Sequence, residues 1–204
     1  MSGPDLGQVS RRLRAKGRQL RRRGQPMSVL VVPVPEVDQV VGGWRERLDP
    51  SSAQGMPAHV TALYPFLPRR LIDADLQRDL ALVAGATSPF GFRLERLGRF
   101  PGVVYLAPEP AEPFVSLTRA LVRRWPSCVP YDGAYPDVVP HVTIAVGEEP
   151  PALAGALQSV LPIEAKADHL LLMVEEDDGR WSTRATLPLG TADLDREPWP
   201  GTGR

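Results

Sequence analysis

The sequence predicts a duplicated fold in which a strand–helix–strand–helix–strand unit occurs twice, and three observations carry that expectation. Hydrophobic residues recur with strand and helix periods in two consecutive blocks of the same order, and Pro/Gly clusters punctuate the blocks. Two of the three histidines open the same three-residue word, each at the second strand of its block.

The first block starts with Ser28–Val34, a β-branched run closed by Pro33 and Pro35 that reads as a strand. Val37, Val40, Val41, Trp44 and Leu48 then recur at helical spacing, weakened by Gly42 and Gly43. Asp49–Pro57 reads as a loop and His59–Tyr64 as a second strand. Ile72, Leu76, Leu80 and Val83 mark an amphipathic helix with Asp73 near its start, and Phe90–Phe100 is the third strand.

The second block repeats the order. Val103–Ala107 is a strand, and Phe114, Leu117, Leu121, Val122 and Trp125 outline a helix that Pro126 stops. After a Pro, Gly and Tyr-rich loop over Ser127–Pro140 come a strand at His141–Val146 and a helix through Leu153, Leu157 and Val160. Ile163–Val174 reads as one long strand, turned by Asp177–Gly179 into a last strand at Trp181–Leu187. The expected organisation is a basic arm over 1–27, a domain over 28–189 with pseudo-repeats at about 28–100 and 101–189, and a poorly ordered tail over 190–204.

A length of 204 residues with 43% hydrophobic and 24% charged residues excludes a disordered or collagen-like chain. Val29–Val34 and Leu170–Val174 fall well short of the roughly 20 apolar residues a bilayer span needs. The lone Cys128 forms neither an internal disulfide nor a thiolate metal cage, so an intracellular, cytoplasmic protein without a membrane partner is expected. The zero net charge hides a division. Eight basic residues and one acid precede Met27, a net +7, and the remainder carries −7. Residues 11–23 therefore read either as a phosphate-binding arm for nucleic acid or as a solvated helical stripe.

The repeated word is His59-Val60-Thr61 and His141-Val142-Thr143, each with a proline just upstream and an apolar continuation. In a strand, residues i and i+2 project from one face while the residue between enters the other. Two such strands brought together would set two imidazoles and two hydroxyls around one small cavity. An imidazole titrates near neutrality, so one ring can act as base while its partner acts as acid. The hydroxyls can donate to non-bridging phosphate oxygens.

This pattern resembles the 2H phosphoesterase superfamily, and the surrounding words are most similar to its 2′-5′ RNA ligase branch. The signature is a pair of His-x-Thr/Ser motifs followed by apolar residues, here His59-Val60-Thr61-Ala62-Leu63 and His141-Val142-Thr143-Ile144-Ala145, within a region of about Ser28–Leu189. The resemblance implies a bilobal α+β fold with antiparallel sheets lining a central cleft. It also implies metal-independent chemistry, without cofactor, on 2′,3′-cyclic phosphates or 2′-5′ linkages of RNA ends or small nucleotides. Carried over, the catalytic set is His59, Thr61, His141 and Thr143; residue types leave open which histidine is acid and which is base. The alternative from another class is a catalytically weak nucleic-acid-binding protein that uses the same fold and the basic arm.

His169 lacks the following Thr and reads as structural or surface. The histidines lack the i, i+4 spacing of a helical zinc motif, so no metal is expected. The chain has no Gly-rich phosphate loop followed by Lys-Ser/Thr, which argues against an ATP-driven ligase. Phe100 and Tyr105, where the two halves join, and Tyr131 and Tyr135, in the loop leading to His141, could stack a base; Phe100 and Tyr135 are the expected ones, and Phe100 and Tyr105 read equally well as core. A monomer is expected.

Overall fold

The structure, a computed structural model, describes residues 26–190; the basic segment 11–23 and nearly all of the expected tail lie outside the described residues. Eight strands form one antiparallel sheet: β1 (Ser28–Pro33), β2 (His59–Leu63), β3 (Phe90–Phe100), β4 (Val103–Glu109), β5 (Val142–Val146), β6 (Ile163–Ala167), β7 (His169–Glu175) and β8 (Trp181–Pro188). Five helices accompany them: α1 (Pro35–Leu48), α2 (Pro50–Ala53), α3 (Ala74–Gly85), α4 (Glu112–Arg124) and α5 (Pro151–Gln158).

The strand order β6-β3-β4-β5-β2-β1-β7-β8 divides into two groups of four, joined between β5 and β2 by the single pair Val60↔Val142. Chain order is exchanged between the groups. The tight turn at Pro101–Gly102, where Gly102 has φ of 74°, folds β3 back on β4, and β7 returns to pair with β1. One residue, Asp168, separates β6 from β7, although they stand first and seventh in the order. In a flat sheet they would lie roughly 29 Å apart, against about 7 Å of chain between Ala167 and His169. The sheet must therefore curl. The long strand expected over Ile163–Val174 is broken at this point, by a residue type that strands disfavour.

One face of the sheet is covered by helices. Leu30, Val60, Ala62, Leu106, Val142 and Ile144 face Leu80, Leu117, Leu121, Leu153 and Leu157 in one core cluster. Full burial of each Val, Leu or Ile among them contributes on the order of 2 kcal/mol. The helices cross between halves: α1 packs behind β5, and α4 packs behind β2, where Thr118 Oγ1 donates to the Ala62 carbonyl at 2.8 Å. The opposite, open face carries a smaller cluster of Val29, Val31, Met56, Leu171 and Met173.

Local chemistry explains the helix limits. Asp73 accepts from Leu76 N at 2.8 Å and caps α3. The loop expected over Asp49–Pro57 contains the short helix α2, for which Asp49 is the cap, accepting from Ser51 N, and Pro50 opens the first turn. In α1 the buried face is Val37, Val41 and Arg45, while Val40 from the expected stripe is 46% exposed. Non-helical dihedrals at Val41 (φ −130°, ψ 15°), beside Gly42 and Gly43, interrupt that helix.

Candidate active site

Alternation along β2 sends Val60 and Ala62 into the core and leaves His59 and Thr61 half-buried on the open face. Val142 and Ile144 do the same for His141 and Thr143. β5 starts at Val142, one residue later than expected, because Pro140 before His141 has no N–H to extend a ladder. The antiparallel pair Val60↔Val142 fixes the rest. One step outward on each strand sets His59 across from Thr143 and Thr61 across from His141. The four residues form a square with the imidazoles on one diagonal and the hydroxyls on the other.

Both rings are held alike. His59 Nδ1 lies 2.7 Å from the Pro57 carbonyl, and His141 Nδ1 lies 2.8 Å from the Val139 carbonyl. A carbonyl only accepts, so each Nδ1 carries the proton, and in the neutral ring Nε2 is left with its lone pair. Burial pushes His59 down to about 4, opposed by its bond to Pro57; the Arg45 charge lowers it further, Asp49 raises it, and His141 lowers it. Burial also lowers His141, opposed by the Val139 carbonyl. The site therefore holds two buried imidazoles that resist protonation, and an arriving anion would favour protonation of one.

The flanks differ. Phe100 and Tyr105 stack at 4.3 Å between centroids, and their rings stand 5.1 and 5.3 Å from His141. Phe100 thus lies against one motif ring. Tyr105 packs over Gly98, where a Cβ would come within 2.3 Å of the phenol ring. Tyr135, 37% exposed, sets its ring edge-on to Tyr131 at 5.6 Å, whereas Phe100 and Tyr105 are the rings that meet His141. Its hydroxyl is pushed up by burial.

Two further residues belong to the surroundings. Tyr131 donates its backbone N–H to the Tyr64 carbonyl at 2.6 Å, and its hydroxyl hydrogen-bonds Thr61. Burial raises that phenol to about 12, against the Thr61 bond; Tyr135 adds to the rise. The backbone is left-handed at Tyr131 and Asp132 (φ 49° and 53°), in the loop where the sequence places Tyr131 among the aromatics near the cleft. Arg45, 1% exposed, lies at the His59–Thr143 edge of the square and contacts backbone carbonyls of both motif segments. Its sequence signal was the helical spacing of Arg45 to Asp49, four residues on.

His169 stands away from the square, half-buried, with Nδ1 against the Asp168 carboxylate. Among the described residues no three His, Cys, Asp or Glu side chains are grouped to hold a metal ion, and no helix is long and apolar enough to cross a membrane.

Comparison with known proteins bears on the fold and the family. A protein of Bacillus cereus (strain G9842), provisionally named a phosphoesterase, is 24% identical over 168 residues, covering 80% of this chain and 96% of its own. The crystal structure of Escherichia coli LigT complexed with NADP+ superposes with a TM-score of 0.55 at 18% identity, covering 81% of this chain and 98% of that one. TT0787 of Thermus thermophilus gives 0.52 at 19% identity, with coverages of 82% and 99%. These structural likenesses share the fold of mixed helices and a curled antiparallel sheet. The sequence model of the 2′-5′ RNA ligase superfamily matches residues 33–179, a span that contains both His-Val-Thr words, and the chain belongs to that superfamily.

Proposed function

We propose that this protein is a metal-independent phosphoesterase acting on a 2′,3′-cyclic phosphate or a 2′-5′ phosphodiester, at an RNA end or on a small nucleotide. His59 serves as general base and His141 as general acid. The observation that carries the reading is the matched tether of the two rings: each Nδ1–H is fixed on a carbonyl two residues upstream, on neighbouring strands in a register that alternates imidazole and hydroxyl.

The assignment of roles rests on the flanks. Burial, and beyond it the Arg45 cation, disfavour a positive charge on His59, so that ring is neutral and ready to accept. The Phe100 and Tyr105 rings beside His141 favour an imidazolium when a phosphate anion is present. In hydrolysis, His59 Nε2 takes a proton from water as the water oxygen bonds to phosphorus. The bond from phosphorus to one ribose oxygen breaks, and protonated His141 gives its proton to that oxygen. The product is a ribose phosphomonoester. Thr61 and Thr143 donate to the non-bridging oxygens, where charge develops in the transition state. With a 5′-hydroxyl attacking in place of water, the same site would form a 2′-5′ junction.

Crystal structures of Escherichia coli LigT with NADP+, 3′-AMP and ATP support a nucleotide ligand for this fold. The test is incubation with 2′,3′-cyclic mononucleotides, short cyclic-ended RNA and a 2′-5′ dinucleotide in EDTA. Phosphomonoester formation, or cleavage of the 2′-5′ link, is expected. No product from any of them would overturn the reading. RNA binding with a steep salt slope and no turnover would favour the binding protein instead.

A further inference from the structure

We propose that Arg45 is a positioning residue that ties the two motif strands to each other, setting His59 and Thr143 in register through its fork of donors. The inference rests on the proposed catalytic square and concerns what holds it together.

Arg45 projects from α1 into the core rather than into solvent. Its Nε donates to the Thr143 carbonyl at 3.2 Å, and one terminal nitrogen lies 3.4 Å from the carbonyls of both Met56 and Pro57. The Pro57 carbonyl is the one that accepts from His59 Nδ1. One guanidinium therefore spans the backbone of the second motif and the acceptor that orients the ring of the first. The same terminal nitrogen also donates to Asp49 at 2.9 Å, and the other terminal nitrogen donates to Asp38 at 2.6 Å. Asp38 also accepts from Ala58 N at 2.8 Å, bracing the residue immediately before His59.

A stability role alone explains this arrangement poorly. A buried ion pair is a weak source of net stability, because desolvation offsets the attraction, and an apolar side chain could fill the same space. What an apolar side chain lacks is a rigid planar fork able to reach two backbone segments at once. The opposite half shows the contrast: at the corresponding crossing, Thr118 of α4 makes one bond to Ala62, beyond the motif.

The test reads the two histidines separately, by nitrogen-15 spectra of the full chain through a pH titration, with folding checked by circular dichroism. The charges bearing on His59 are Arg45, Asp49 and His141, so Arg45→Gln removes a cation and leaves Asp38 and Asp49 without their shared ion-pair partner. The His59 midpoint should rise from about 4 while staying below its ordinary 6.5, because burial, the largest cause of the lowering, remains; His141 should stay unmoved. A folded variant in which His59 keeps its midpoint, or in which both rings move together, overturns the proposal. If Arg45→Gln does not fold, Arg45→Lys retains the charge without the fork. It should loosen the Nδ1–H tautomer of His59 and lower kcat on a 2′,3′-cyclic mononucleotide roughly tenfold, with KM within about threefold. An unchanged His59 spectrum there overturns the proposal, and unfolding of both variants reduces Arg45 to a folding residue and also ends it. Thr118→Val should lower stability and move neither ring. A parent protein that turns over no substrate would remove the proposed function, while the ring spectra would still decide whether Arg45 orients His59.

Discussion

The two halves of the molecule set the same three residues in different company. Around His59 the surroundings are polar and buried: the Arg45–Asp49 pair behind the strand, and a phenol hydroxyl on Thr61. Around His141 they are aromatic, with Phe100 and Tyr105 at about one ring's distance. The tethers on the rings are nevertheless alike, within 0.1 Å. The matched tethers accompany the repeated His-Val-Thr word, and the proposed roles of proton acceptor and proton donor rest on the difference between the flanks. A symmetric site would present two equivalent imidazoles and leave the direction of proton flow to the substrate alone.

The strongest test of that pairing is removal of either ring. His59→Ala and His141→Ala should each lower hydrolysis of a cyclic nucleotide by a factor on the order of 10² to 10⁴, as expected for loss of a general acid or base. Because the rings act as a unit, the double variant should be little worse than the more damaged single one. Full activity in both single variants, measured on every substrate the parent cleaves, would remove the square from the chemistry.

Next come the hydroxyls. Thr61→Val and Thr143→Val should each cost roughly 10- to 100-fold in kcat, the scale of a hydrogen bond to a charged oxygen. Tyr131 sharpens the comparison, since Thr61 is the threonine that its hydroxyl meets. Tyr131→Phe should lower kcat about threefold to tenfold in the parent and have no further effect in Thr61→Val, a non-additivity that a double-mutant cycle measures. Equal effects of Tyr131→Phe in both backgrounds would separate the phenol from the threonine.

Much of this was legible in the chain because the period of two in a strand is stringent. His-Val-Thr with an apolar continuation dictates which side chains share a face, and it places Val60 and Val142 in the core. The order of elements was likewise readable. The exchange of β3 and β7 between groups was not, because hydrophobic pattern sets which face is buried and says nothing about which strand pairs with which. Arg45 was hard to read for the opposite reason: a charged residue at a core-facing helix position contradicts the apolar stripe, and beyond its spacing to Asp49 its partners lie on distant segments. Tyr135, expected to stack a base, meets Tyr131 at the edge of the loop, while Phe100 lies against His141.

A pH titration of stability addresses the buried rings without any substrate. His59 ionises near its ordinary 6.5 in the unfolded chain and at about 4 in the folded one, so the unfolded state binds the proton more tightly. The stability from keeping this ring neutral is complete above 6.5 and is lost as pH falls through the window from 6.5 to 4. The loss from His59 should be roughly 1–3 kcal/mol. Urea unfolding at pH 7 and at pH 4.5 should show a smaller difference for His59→Gln than for the parent. An identical pH dependence in the two would mean that the ring is freely hydrated and that its environment is not what separates it from His141.

The smallest expected effect concerns the aromatic flank. Gly98 sits across the ladder from Tyr105, and an added Cβ would meet three atoms of the phenol at 2.3 to 2.6 Å. Gly98→Ala must therefore displace Tyr105, and with it the packing against His141. The expected outcome is a threefold to tenfold loss of kcat, on the scale of a slightly misplaced catalytic group, with the acid-side limb of the pH profile unchanged and the limb assigned to protonated His141 moved to lower pH. Gly91→Ala on the same strand, with nothing within 4 Å of its added Cβ, should leave both limbs and the rate as they are. If the two glycine variants behave alike, the rings beside His141 contribute shape to the site and no bias to its proton, and the division of labour between the motifs must come from the Arg45 side.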